Sequence, residues 1–596
     1  MRDEQPLDLL ARFGMSDIRM NRRSVLKRAL AMGLSAPVIA ALLAACGGDD
    51  DDSSPTATSS TGGATATTGA AATPTSGGGG TTGGTLVIGR NIDDIVHLDP
   101  SSAYEISGAP PLWLAYQSML LAEPDNLNVF NPVFCEETPS VENGGISADG
   151  LTYTFKIKKG IKFSTGKEMT AHDFVFNIKR LWYRQGNPSF VAADLVNDAN
   201  EVMAEAVDDY TLKLTLKQPN AAFLAFCAGQ LMWCGDSEAI KAQGGLDTPD
   251  AATADTAEAW LDQNSVGAGP YVLTSWKKAE EVVMERNPNY FGDPVAYDRF
   301  VLRYGADSGI QLQQLESGEI DMAMELDADA IKSLDRAKFD VIEGPLLNHV
   351  YIAMMMAEDP GGILADVRVR QAIAYSIDYD AYVNELRGGA AIRPASAVPL
   401  GMLGADKVAD LAYVQDLDKA KALLAEAGVE EGSEVTLSFG GGSSYEGVPN
   451  ETTAAKLQAD IERIGIKVNL NPMDAAQRLE DFRAAKLQFT FSEWGPDYLD
   501  VHAYAFPFGG VPDQAPSLRI KYVNEDNVAL LDQAIQESDI AKREELYVKV
   551  MTNMINDCGF VPLWQPISQY AVKKGLQGVA VHAGWLVLAD RIRPPA

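Results

Sequence analysis

Apolar and polar positions alternate with a period of two over Leu151, Tyr153, Phe155 and Ile157. That pattern predicts a half-buried strand, and Asp149-Gly150 just before it supplies the turn. Residues 211–216 alternate in the same way and predict a second strand of the same layer. Between the two the period changes. Phe174, Ile178 and Leu181 fall on one face of a helix, and Thr170-Ala171-His172-Asp173 at its start has the form of a capping box. Earlier in the chain, Leu86-Val87-Ile88 opens a strand and His97-Leu98-Asp99-Pro100 ends an extended segment.

The later half has a different rhythm. A strand at 434–439 is followed by Gly440-Gly441-Gly442-Ser443-Ser444, then a helix at 452–464 stopped by Gly465. A strand at 466–470, a helix at 475–485 and a strand at 487–494 come next. Strands alternating with helices predict a βαβ unit with a parallel sheet. Ligand contacts then fall beyond the carboxyl ends of the strands, where Trp494-Gly495-Pro496-Asp497-Tyr498 lies. A long helix at 540–555 places Leu546, Val550 and Met554 on one face.

Neither period is present before residue 85. Residues 29–45 form an apolar, uncharged run of 17, shorter than the roughly 20 residues a membrane-spanning helix needs. Asn21-Arg22-Arg23-Ser24-Val25-Leu26-Lys27 before it resembles a twin-arginine export signal, and Leu43-Ala44-Ala45-Cys46 after it resembles a lipobox. Arg22 and Arg23 would then direct export. Cys46 would be acylated and become the new N-terminus, anchoring the chain to the outer face of the cytoplasmic membrane. Residues 47–84 are almost entirely Gly, Ser, Thr, Ala, Pro and Asp, a composition that cannot form a core. As a flexible coil they would span roughly 35 Å.

The net charge of −33 becomes −36 once the leader is removed, which disfavours nucleic acid and anionic lipid as partners. Besides Cys46 there are four cysteines. Cys227 and Cys234 are near enough in sequence to form a disulfide outside the membrane. Flanked by Phe226 and Trp233, they read equally well as small buried hydrophobes. Without a Cys-x-x-Cys pair no zinc site is expected. The five histidines are scattered and no nucleophile motif occurs, so no enzyme and no cofactor are expected.

From about residue 85 to 578 an ordered series of motifs appears. Leu98-Asp99-Pro100 is followed by Asp149-Gly150-Leu151-Thr152-Tyr153-Thr154-Phe155 and Met169-Thr170-Ala171-His172-Asp173-Phe174. Gly267-Ala268-Gly269-Pro270-Tyr271, Glu285-Arg286-Asn287-Pro288-Asn289-Tyr290, Leu315-Glu316-Ser317-Gly318-Glu319-Ile320-Asp321 and Val367-Arg368-Val369-Arg370-Gln371-Ala372 come after. In this order they resemble the large extracytoplasmic solute-binding proteins of peptide and nickel ABC importers, family 5. The resemblance implies an α/β fold: a two-lobed clamshell of the periplasmic-binding-protein type (class II). Lobe I would comprise 85–118, 266–350 and 545–596, with an extra subdomain at 119–265. Lobe II would be 351–544. A monomer closing on a small solute, a di- or oligopeptide first, would deliver it to membrane permease subunits. Nickel chelates, oligosaccharides and opines are the alternatives, as is a sensing role.

In peptide-binding members an aspartate after a tryptophan receives the ligand's ammonium group, and Asp497 matches it. Trp494 and Tyr498 would form the wall beside it. Pro496 replaces a small residue of that pattern and stiffens the loop. The segment after Leu98-Asp99-Pro100 lines the cleft in relatives, which nominates Tyr104, Ile106 and Ser107. Met354-Met355-Met356 reads as pocket lining or as buried strand. His502 is the histidine nearest the proposed cleft. The resemblance identifies no partner for a ligand carboxylate.

Overall fold

The alternation at 151–157 becomes the strand Thr152–Lys156, with Tyr153 and Phe155 buried and the residues between them half-buried. It pairs antiparallel with Thr211–Thr215, which pairs in turn with Ala204–Asp208. The helix Ala171–Tyr183 begins at the expected capping box: the Thr170 backbone N–H donates to Asp173 Oδ2 at 3.0 Å. Its Phe174, Ile178 and Leu181 join Phe155, Leu212 and Leu214 in one core, whose residues lie between Met119 and Ala268. The computed structural model that shows this describes residues 83–596 except 125, 513 and 515, with the backbone only at 126 and 128. Arg22, Arg23 and Cys46 therefore lie outside the described residues. Among the described residues no helix is long and apolar enough to cross a membrane.

The βαβ unit forms as its periodicity predicts. Glu434–Gly440 pairs in parallel with Lys467–Met473 on one side and with Phe489–Trp494 on the other. The helices Asn450–Glu462 and Ala475–Arg483 make the crossovers. These strands belong to a sheet that runs through both lobes, twelve-stranded among the described residues. At one end it holds the parallel unit. At the other it holds Thr85–Arg90, Arg299–Tyr304, Glu281–Arg286 and Tyr271–Lys277.

One strand joins the halves. Phe560–Lys573 pairs through Phe560, Val561, Pro562 and Trp564 with His349–Met354 of lobe II. Through residues from Ile567 onward it pairs with Phe339–Pro345 and Met322–Ala323 of lobe I. The second crossing between lobes thus falls inside this strand, near Gln565, rather than near 545. The long helix Ile540–Asp557, assigned to lobe I from the sequence, packs instead in the core of lobe II. Its Tyr547, Val550, Met551 and Met554 cluster there with Leu531, Ala534 and Ile352. An amphipathic stripe shows that a helix is covered on one face, not which lobe covers it.

Two readings left open by the sequence resolve toward burial. Met354 and Met355 are fully buried, Met354 at the end of a strand, and Met356 packs on the same core, so the run lines no cavity described below. Cys227 and Cys234 are free buried thiols, as are Cys135 and Cys558, and the possible Cys227–Cys234 bridge is not formed. Cys227 joins the core of the extra subdomain, and the Cys234 sulfur accepts from the Asn177 amide at 3.7 Å.

Candidate functional site

The segment after Leu98 is held by buried charge. The Asp99 carboxylate is fully buried and accepts from Arg180 Nη1 and Nη2 at 2.7 and 2.6 Å. Arg180 Nε donates to Asp255 at 2.8 Å. Burial alone would raise the Asp99 pKa, but the Arg180 charge and hydrogen bonds hold it below the usual carboxylate value. Gln230 then donates to the carbonyls of Pro100 and Ala103 at 2.8 and 2.7 Å. Tyr104 leaves this braced turn and points across to lobe II.

The opposing wall is the end of the strand Phe489–Trp494. A Cβ at Gly495 would lie 2.6 Å from the Trp585 ring and 3.0 Å from Asn348 Oδ1, so only glycine allows the C-terminal segment of lobe I to approach. Asp500 closes the turn and is gripped by Arg543 at 2.8 and 2.7 Å. Between these anchors, Asp497 Oδ1 accepts from the Tyr104 hydroxyl at 2.6 Å. Tyr498 stacks on Phe226 of the extra subdomain, with centroids 4.1 Å apart and an interplanar angle of 28°. Asp497 keeps accessible surface because it faces a cavity. Desolvation by the walls raises its pKa, with the Tyr104 hydrogen bond opposing.

That cavity has a volume of about 520 Å³, within the usual range for small-ligand sites. Tyr104, Ile106, Trp494, Asp497 and Tyr498 all line it. Ser107 does not: it is buried, and its hydroxyl donates to Asp94 Oδ1. A short helical turn, Ile106–Gly108, follows Glu105 and turns Ser107 inward. A second, more polar cavity of about 890 Å³ lies between Arg90, Glu325 and Lys332 of lobe I and Arg387 and Glu446 of lobe II. Asp94, Ile106 and Trp585 line both cavities and partition the cleft.

A carboxyl pair sits at this partition. The Asn348 amide donates to Glu446 and Glu493 at 3.1 and 2.7 Å, and the Trp585 indole N–H donates to Asn348 Oδ1 at 3.0 Å. Burial first, and then neighbouring Glu446, pushes the Glu493 pKa well above the carboxylate range. Phe226, Phe190 and Trp585 also line the apolar cavity and were not found in the sequence. Phe226 stood out there only as a neighbour of Cys227. Nothing in the spacing of Trp585 points to a cleft, because it arrives from the far end of the chain.

His502 is structural here: its Nδ1 is 2.9 Å from the Tyr547 hydroxyl and its ring stacks on Phe506. His582 lines the apolar cavity but both nitrogens are spent locally, Nε2 on the Ala122 carbonyl and Nδ1 on the Gly584 N–H, at 2.9 and 3.0 Å. No cluster able to hold a metal ion occurs among the described residues.

The two lobes, joined by a shared strand, hold a ligand-sized cavity between them. The family model of bacterial extracellular solute-binding proteins, family 5, matches residues 137–515. The chain is 28% identical over 497 residues to the probable D,D-dipeptide-binding periplasmic protein DdpA of Escherichia coli, covering 83% of this chain and 90% of that one. It is 27% identical over 444 residues to heme-binding protein A of Haemophilus influenzae, covering 72% and 78%. The solved structure of the ABC transporter substrate-binding protein CtaP of Listeria monocytogenes superposes with a TM-score of 0.74 at 22% identity, over 86% of this chain and all of that one. The chain belongs to the family 5 extracellular solute-binding proteins, the extracytoplasmic binding components of ABC importers, and is not an enzyme.

Proposed function

We propose that the cleft captures a short peptide, or another small solute bearing a primary ammonium group, and that Asp497 receives that group. One observation carries this reading. Asp497 faces the cavity from a strand end, its carboxylate takes a hydrogen bond from Tyr104, and among the described residues no cationic side chain pairs with it. A carboxylate that loses water as the lobes close on a solute attracts an ammonium more strongly than one in bulk solvent. Tyr104 comes from lobe I and Asp497 from lobe II, so a ligand touching both favours the closed state. Trp494, Tyr498 and Phe226 supply the apolar wall for a side chain. The D,D-dipeptide named for one relative fits this chemistry. The heme named for another shows how far ligands diverge at similar identity.

Mass spectrometry of solute released from the purified protein identifies the ligand. With an ammonium-bearing ligand in hand, Asp497→Asn is expected to weaken binding about tenfold, or ~1.4 kcal/mol, in calorimetry. An unchanged affinity sinks the assignment.

The leader completes the proposal. Arg22 and Arg23 direct export, and lipid on Cys46 keeps the binding protein beside its permease. Cys46→Ala is expected to move the protein from the membrane fraction to the soluble one.

A further inference from the structure

Asn220-Ala221-Ala222-Phe223, in the extra subdomain, has asparagine where a type I turn favours it, at the first position. The turn forms: the Phe223 N–H donates to the Asn220 carbonyl at 3.1 Å, and Ala222 has φ −83° and ψ −1°. Asn220 is buried, and its side chain is spent within the subdomain. Its Oδ1 accepts from the Ala222 N–H at 2.8 Å, and its Nδ2 donates to Asp194 Oδ2 at 2.6 Å. The Tyr153 hydroxyl donates to the Asn220 carbonyl at 3.1 Å, and the Tyr153 ring packs on Phe223 with centroids 4.8 Å apart. The Ala221 N–H is the group this pinned turn offers outward. It donates to the Ile535 carbonyl of lobe II at 2.6 Å.

Ile535 stands in the last turn of the helix Glu525–Gln536, which packs in the core of lobe II through Leu531 and Ala534. The last carbonyls of a helix have no partner within it. Ala534 accepts from Arg543 Nε at 3.2 Å, inside lobe II, whereas Ile535 is met by the opposite jaw. The Asp539 N–H, which a longer helix would bring to Ile535, donates instead to Glu537 Oε1 at 2.8 Å. A carbonyl covered when the jaws meet loses its water, and it then needs the donor that Ala221 brings.

Neither Ala221 nor Ile535 lines either cavity. The stack of Phe226 on Tyr498 also joins this subdomain to lobe II, but both of those rings face the apolar cavity and are open to a solute. We infer that the turn 220–223 is a closure latch. It caps the C-terminal end of the lobe II helix and holds the cleft shut through a contact that no solute touches, with Asn220 as its positioning residue. Closure then has two separate sources, the latch and the solute. The latch gives the unloaded protein a closed population and slows release from the loaded one. It does so whatever solute the cleft takes.

Single-molecule energy transfer on protein dialysed free of solute tests the latch. Dyes are placed on Lys278→Cys and Lys467→Cys, exposed positions beside the strands that end the twelve-stranded sheet, in the Cys46→Ala form. The four other cysteines are buried. Ala221→Pro removes the N–H at the second position of the turn, where proline is favoured. It is expected to lower the closed-to-open ratio about fivefold, as the loss of one net hydrogen bond would. Asn220→Ala frees the turn and should lower the ratio too. Exchanging the pair, Asn220→Asp with Asp194→Asn, keeps the acceptor for Ala222 and reverses the bond to position 194, and it should restore the parent ratio. An unchanged ratio in Ala221→Pro would overturn the latch, as would an unloaded parent with no closed population. If Ala221→Pro does not fold, Asn220→Ala and the exchanged pair decide: an unchanged ratio in the first, or a loss that the second does not recover, overturns it.

Discussion

Two groups of buried arginine solve the same physical problem in different ways. In lobe I, Arg180 is fully engaged by Asp99 and Asp255, and the network has no chemistry left to offer. It braces the turn that carries Tyr104 to the cleft. In lobe II, Arg478 and Arg519 hold positive charge over Phe482 with donors to spare. Arg180 meets carboxylates, whereas Arg478 leaves Nε and Nη1 without an acceptor among the described residues. His349 is a third case. It is fully buried with both ring nitrogens unpartnered, among Tyr351, Tyr504 and Phe508. Unlike arginine it can stay neutral, and burial lowers its pKa to about 3.

The largest test of this comparison removes the charge from each group. Arg180→Met strands the buried Asp99 carboxylate and leaves Asp255 with only Arg184 as a cationic partner, at 3.5 Å, and is expected to cost about 3–5 kcal/mol in urea unfolding. Arg478→Met strands no carboxylate and removes only the hydrogen bond to Tyr445, and is expected to cost less than ~1 kcal/mol. Equal losses would erase the distinction between the groups.

The histidine case is read from pH. Its folded pKa lies below the unfolded value of 6.5, so the unfolded chain takes up a proton that the fold refuses. The stability that His349 contributes is therefore present above pH 6.5 and is lost as pH falls toward 3. The slope is about 1.4 kcal/mol per pH unit, and His349→Leu should remove that slope from urea midpoints measured between pH 6 and 4. His502, lowered to about 4 by burial, adds a second slope over the same window that the substitution leaves in place.

Glu493 has the opposite sign. Its raised pKa means the folded state holds a proton, so its contribution is full at low pH and is lost as pH rises through the folded value. Glu493→Gln should flatten the alkaline side of the stability profile and leave the acid side as it was. The smallest test leaves charge untouched. Phe226→Leu keeps an apolar contact but removes the stack on Tyr498, and is expected to weaken ligand binding by about 0.5–1.5 kcal/mol through poorer closure.

Much of the frame is legible in the chain because it is local. The capping box at Thr170 and Asp173 needs only four residues, and the parallel unit from 434 to 494 needs only the alternation of two periods. Trp494 and Asp497 stand where any parallel sheet places its strand ends. The path of the long helix into lobe II was not legible, nor was the inward turn of Ser107, because each depends on which surface waits to cover it. Phe226, Trp585 and Asn348 meet the cleft from segments more than 100 residues apart, and no local spacing encodes that meeting.

The sequence by itself determined the class of protein, the order of its elements and the carboxylate at the strand end, since these follow from periodicity and short motifs. The tertiary structure alone decided that Tyr104 faces Asp497 across the cleft, that the cleft is divided by Trp585, and that Arg180 is matched while Arg478 is not. Whether a buried charge has a partner depends on groups brought together from distant parts of the chain.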